Sequence, residues 1–183
     1  MKKRINFYVT IFLISILLIS CEQEEDTSNG YVIVNNVKYK LSWGILENHG
    51  KESNYSDFCY VLRLLSTGID IQEEEGTVES LIGSGHYFSI SVFSNLDDKL
   101  ALGEYVYDEN ETEKSGTIGH ASVRLNFDSY AESEQYFPSQ SGSFTVESND
   151  NIYKIEFDFF TDEGVSVTGY YLGKLEFYRY GLD

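Results

Sequence analysis

Positive charge is scarce in this chain: 13 Lys and Arg stand against 30 Asp and Glu in 183 residues, a formal net charge of −17. After Met1-Lys2-Lys3-Arg4 no cationic cluster occurs. A nucleic-acid binder needs such a patch to displace counterions from phosphates, so DNA and RNA are excluded as partners. Proline, methionine and tryptophan occur once each, as Pro138, Met1 and Trp43, and there are two cysteines. Beyond the N-terminal segment no window of about twelve residues carries a helical period. What the chain has instead is 15 Tyr and 12 Phe, a bias that favours strands. With 42% hydrophobic residues it is too apolar for a disordered chain, and its length suits one domain with a real core.

The first segment is an address. Lys2, Lys3 and Arg4 precede a mostly apolar run, Ile5 to Ser20, that ends at Cys21. Positive charge, apolar run and small residue make a secretory signal. At about 15 apolar residues the run is short of the roughly 20 a membrane span requires, although an uncleaved signal anchor is the alternative. Leu18-Ile19-Ser20-Cys21 resembles the bacterial lipobox. That resemblance implies cleavage before Cys21 and lipidation of its thiol, with several acyl chains giving a stable anchor. Residues 1–20 are then the signal peptide, and their loss removes three cations and no acid, leaving −20.

Residues 21–30 follow as lipidated cysteine and tether: Glu22-Gln23-Glu24-Glu25-Asp26 and Thr27-Ser28-Asn29-Gly30 contain nothing to bury and repel themselves. An acidic patch directly behind the lipidated cysteine resembles the export signal of surface lipoproteins of the Bacteroidetes. It implies a bacterial outer-membrane location, lipid-anchored and surface-exposed. With Cys21 taken by lipid, Cys59 has no partner for a disulfide within the chain, and Phe58-Cys59-Tyr60-Val61-Leu62 reads as a strand holding a small inert thiol.

From residue 31 to 183 the hydrophobic period is two. Tyr31 to Val34 and Val37 to Leu41 flank Asn35-Asn36, a pair suited to a two-residue hairpin turn. Phe58 to Leu65 is apolar on both faces and reads as a central strand. Phe88, Ile90 and Val92 share one face, as do Ala121, Val123, Leu125 and Phe127, then Phe144 and Val146, then Tyr153, Ile155, Phe157 and Phe159 after the turn Ser148-Asn149-Asp150-Asn151. Asp162-Glu163-Gly164 turns the chain into a long last strand, Val165 to Tyr178, softened by Gly169 and Gly173. Asp70 to Glu75 and Ala131 to Glu134 read as acidic loops or single turns. The expected class is all-β: one antiparallel meander of about eight to ten strands, closing as a sandwich or a flattened, lipocalin-like barrel. The order of Val37-Lys38-Tyr39-Lys40-Leu41, Leu62 to Ile69, Leu102 to Tyr105, Ser141 to Val146, Tyr153-Lys154-Ile155 and Val167 to Leu175, behind a lipobox and an acidic tether, resembles a class of uncharacterised secreted lipoproteins of the Bacteroidetes. The class implies a secreted β-domain and carries no catalytic residue across.

No catalytic constellation is visible. His49, His86 and His120 are scattered, and a zinc site at His86 and His120 lacks a third ligand. Asp108, Asn110 and Thr112 begin the spacing of a calcium loop, but Glu113 stands where glycine is required and Gly119 where a bidentate Glu is needed. Leu81-Ile82-Gly83-Ser84-Gly85 lacks the lysine and helix of a phosphate cradle. Carboxylate pairs such as Asp97-Asp98 fall in turns, as they must often do in so acidic a chain. The chain is therefore expected to be non-catalytic, without metal or cofactor. The aromatic surplus is where function is expected. In the last strand Tyr170, Leu172, Tyr178 and Tyr180 fall on the face opposite Val167, Tyr171, Leu175 and Phe177, and exposed aromatic faces stack on sugar rings or anchor protein partners. Trp43, Tyr170, Tyr178 and Tyr180 are the candidate binding residues for an extracellular ligand, a glycan foremost. An accessory subunit docking onto an outer-membrane or cell-surface complex is the alternative, and a barrel around a small apolar ligand is a variant of the first.

Overall fold

The computed structural model describes residues 29–51, 57–108, 112–131 and 134–180. The signal segment, Cys21, the tether up to Ser28 and residues 109–111 of the calcium-like loop lie outside the described residues. Among the described residues there is no helix, and twelve strands form: β1 Asn29–Val34, β2 Val37–Leu41, β3 Trp43–Asn48, β4 Phe58–Leu65, β5 Ile69–Glu74, β6 Thr77–Ser94, β7 Gly103–Tyr107, β8 Thr117–Asp128, β9 Gln135–Asn149, β10 Tyr153–Thr161, β11 Ser166–Gly173 and β12 Glu176–Arg179. They make one strongly curled mixed sheet, a half-barrel, in the order β12-β3-β4-β6-β8-β7-β9-β10-β11-β1-β2, with β5 attached to β6.

The all-β expectation holds, but the connectivity is not that of a simple antiparallel meander. β12 runs parallel to β3, and β7 runs parallel to β8 over Val106 and Tyr107. The long last strand divides after Gly173. Lys174 and Leu175 leave the sheet, the Tyr171 hydroxyl donates to the Lys174 carbonyl at 2.6 Å, and Leu175 seats over Gly44, where a Cβ would meet its side chain. The chain then joins β3 at the far end of the strand order. Asp70 to Glu74 is a strand, not a loop: Glu74 pairs with Thr77 around Glu75 and Gly76, both with positive φ, so Glu-Gly makes the two-residue turn. β1 begins at Asn29, and Asn29 and Gly30 pair with Leu172 and Tyr171 of β11.

Alternation set the rest. Asn35 and Asn36 adopt φ of 52° and 62°, closing the β1–β2 hairpin with Val34 opposite Val37. Phe88, Ile90, Val92, Ala121, Val123, Leu125, Phe144, Val146, Ile155 and Phe159 are buried on the concave face. There the Phe88 ring stacks on Phe157 at 4.0 Å. Gly169, opposite Phe157, leaves room for that ring; a Cβ would overlap it. Phe127 departs from the pattern. Asn126 has φ 55° and the register slips between Gly85 and Tyr87, which turns Phe127 to the outer face. There it joins Leu65, Ile69, Tyr87, Trp43 and Leu81 in a second, smaller cluster beneath the β5–β6 hairpin. This is why Phe58–Leu65 is apolar on both faces: Leu64 faces the main core and Leu65 the smaller one.

Candidate functional site

The β5–β6 hairpin is pinned from both flanks. On one flank stands the C-terminal strand. The Tyr178 hydroxyl lies 2.5 Å from Glu73 Oε1 and 3.2 Å from Glu176 Oε2, and the Tyr180 hydroxyl lies 2.5 Å from the Val78 carbonyl and 2.8 Å from Glu47 Oε2. Each phenol has one proton and serves one acceptor at a time. Burial, the hydrogen bond to Glu73 and the charge of Glu176 hold the Tyr178 phenol well above its ordinary pKa, so it stays a donor. On the other flank Ser129 exchanges two bonds with Gly83, backbone N–H to carbonyl at 3.0 Å and Gly83 N–H to Ser129 Oγ at 3.0 Å.

Beneath Tyr180 lies the fully buried carboxylate of Glu47, ion-paired with Arg63 and 3.7 Å from His49 Nε2. The imidazole stacks on the Tyr180 ring at 4.2 Å, and burial holds it below its ordinary pKa. Asn48, also fully buried, donates to the Asp97 carbonyl at 2.7 Å and accepts from the Gly50 N–H at 2.7 Å; Arg179 reaches the same Asp97 carbonyl at 2.6 Å. The cluster fastens β12 to β3. With Glu47 engaged by Arg63 and Tyr180 and closed to solvent, it is built as a clasp and not as a place for substrate.

Two grooves flank the hairpin. The first, about 640 Å³, is lined by Trp43, Thr67, Gly68, Ile69, Asp70, Ile71, Glu73 and Glu176. Of the residues singled out from the sequence, Trp43 lines it, and Tyr178 stands behind it with its hydroxyl within reach of the Glu73 and Glu176 carboxylates. The second, about 580 Å³, opens on the opposite side between Gln72, Ser80, Leu81 and Ile82 on one wall and Arg124, Phe127 to Ala131 and Glu134 on the other.

The structure does not bring the four candidate aromatics together. Tyr180 belongs to the clasp. Tyr170 lies on the outer face far along the strand order, cross-strand from Tyr31 and stacked with it at 6.0 Å, above a shallow depression that includes Glu156, Asp158 and Thr168. Tyr31 escaped sequence reading although it alternates with Val32 and Val34. His86 accepts the Asn126 N–H at 3.1 Å and His120 contacts the Tyr136 hydroxyl at 3.1 Å, so the two histidines engage separate partners. Among the described residues no group of three His, Cys, Asp or Glu side chains is placed to hold a metal. Cys59 is half-buried in β4, its N–H bonded to the Gly50 carbonyl at 2.9 Å. No family model matches the chain, and no curated protein or solved structure matches it either.

Proposed function

We infer that the protein is a lipid-tethered, non-catalytic β-domain of the bacterial outer membrane that binds an extracellular ligand, a glycan foremost, in the groove beside Trp43. The observation that carries this reading is the convergence of the Trp43 ring with Asp70, Glu73 and Glu176, the Tyr178 hydroxyl standing within reach of both glutamates and donating to one of them at a time. A ring that supplies apolar area beside fixed hydroxyl acceptors is the chemistry that holds a sugar: the ring covers C–H faces and the carboxylates accept from hydroxyls. Anchoring and surface display rest on Cys21 and the acidic tether. The test is to titrate the full chain in detergent with a panel of polysaccharides while following Trp43 fluorescence, which reports this groove alone because the chain has one tryptophan. A saturable shift is expected, lost in Trp43→Ala; no shift with any polysaccharide rules out the sugar version. Incorporation of radiolabelled palmitate, abolished in Cys21→Ser, tests the anchor.

A second reading, a docking subunit of a surface complex, draws on Leu102, just before β7, and Val106 on it, 59% and 45% exposed. It expects a membrane partner in a pull-down that Val106→Asp fails to recover.

A further inference from the structure

We propose that the groove on the far side of the hairpin is a second binding site, for an uncharged saccharide, with Tyr130 as its stacking platform and the Arg124–Glu134 pair as its hydroxyl reader. Tyr130 is 90% exposed, the most exposed large hydrophobic side chain of the described residues. Its backbone is nevertheless fixed: Tyr130 N–H donates to Asp128 Oδ1 at 2.9 Å, Ala131 N–H to the Asp128 carbonyl at 3.2 Å, and Ser129 is tied to Gly83. A ring presented from a rigid backbone loses little conformational freedom when a ligand arrives, which removes one of the main costs of association.

The polar part of the groove is equally fixed. Arg124 on β8 is ion-paired with Glu134, and its guanidinium lies over the Tyr136 ring at 4.8 Å and 6.0 Å from the Tyr87 ring centre. Two rings and a carboxylate therefore hold the guanidinium plane. Both partners keep part of the side chain in solvent, 35% for Arg124 and 27% for Glu134. Guanidinium has five donors and a carboxylate two acceptor oxygens, so the pair still offers donors beside an acceptor, the complement of neighbouring hydroxyls on a sugar ring. Gln72, Ser80 and Ser129 add groups that both donate and accept. Charge decides the class. Arg124 is neutralised by Glu134, and the Asp128 carboxylate accepts the Tyr130 N–H, so the groove has no surplus cation for an acidic sugar. The site uses none of the residues of the Trp43 groove, and the two readings fail separately.

The experiment is isothermal titration of the full chain in detergent with three uncharged hexasaccharides, cellohexaose, laminarihexaose and mannohexaose, and with hexagalacturonate as the anionic control. At least one uncharged hexasaccharide is expected to bind and hexagalacturonate not. Tyr130→Ala, on a side chain exposed enough to leave the fold intact, is expected to weaken binding about tenfold or more, and Glu134→Gln to weaken it as well. Trp43→Ala is expected to leave this affinity unchanged. Failure of all three uncharged sugars to bind overturns the proposal, as does tighter binding of hexagalacturonate or wild-type affinity in Tyr130→Ala. Loss of affinity in Trp43→Ala alone would overturn it too, while leaving the Trp43 reading standing.

Discussion

The concave face and the β3–β12 margin are held by different physics. Around Phe88, Phe157 and Phe159 the contacts are apolar and non-directional, rings packed at 4.0 to 6.0 Å with no polar group to satisfy. At the margin a short strand with mostly exposed side chains is fastened by a buried carboxylate, a buried amide and two phenols, each with a named partner. The first arrangement asks only for volume and patterning; the second fails if one partner is missing. The difference teaches that half of this fold is written as composition along strands and half as pairings between residues distant in sequence.

Substitutions can separate the two regimes. Phe157→Ala is expected to have the largest effect, about 3–5 kcal/mol in urea unfolding, because it removes the ring stacked on Phe88 and leaves a cavity above Gly169. Arg63→Ala follows, at roughly 3 kcal/mol, since it strands the Glu47 carboxylate inside the protein. The informative variant is the double, Arg63→Ala with Glu47→Leu, which should recover most of that loss. If the double is no better than the single, the margin is held by packing after all and the contrast disappears.

The smallest effect is one of pH. Burial lowers the pKa of His49 and of His86 from 6.5, so the unfolded chain takes up these protons before the folded one does. Stability from this source is complete above 6.5 and declines as pH falls below it toward the folded values. Melting temperature should therefore slope downward on acidification through that window, and His49→Gln should flatten the slope. Because His49 keeps 36% of its side chain in solvent, the change is modest.

What was legible in the sequence follows the same division. The Asn35-Asn36 turn, the β9–β10 hairpin and the core positions of β6, β8 and β10 could be read because alternation and turn chemistry are local. β5 was hidden because its acidic residues look solvated and its only buried residue is Ile69, in a pairing set by an unremarkable Glu75-Gly76 turn. β12 was hidden because its partner is β3, a parallel pairing that no local pattern announces. Glu47 sits in Ile45-Leu46-Glu47-Asn48, a run buried on both sides, where a carboxylate is the least expected member. Of the candidate aromatics, Trp43 lines one groove and Tyr178 reaches carboxylates of its wall, while Tyr170 and Tyr180 were separated by the break after Gly173 that periodicity alone could not show. Tyr130 had no strand period to mark it.

The parallel seam between β3 and β12 also dictates an order of assembly. Ile45 is paired with Glu176 and Asn29 with Leu172, so the first and third strands each wait for partners more than a hundred residues further along. Hairpins such as β9–β10 can close as soon as both arms exist, but the margin that carries Trp43 and the clasp stays open until residues 176–180 are in place. The groove is therefore complete only once residues 176–180 are in place: a copy truncated before Glu176 lacks both a wall of the groove and the strand that holds its hairpin.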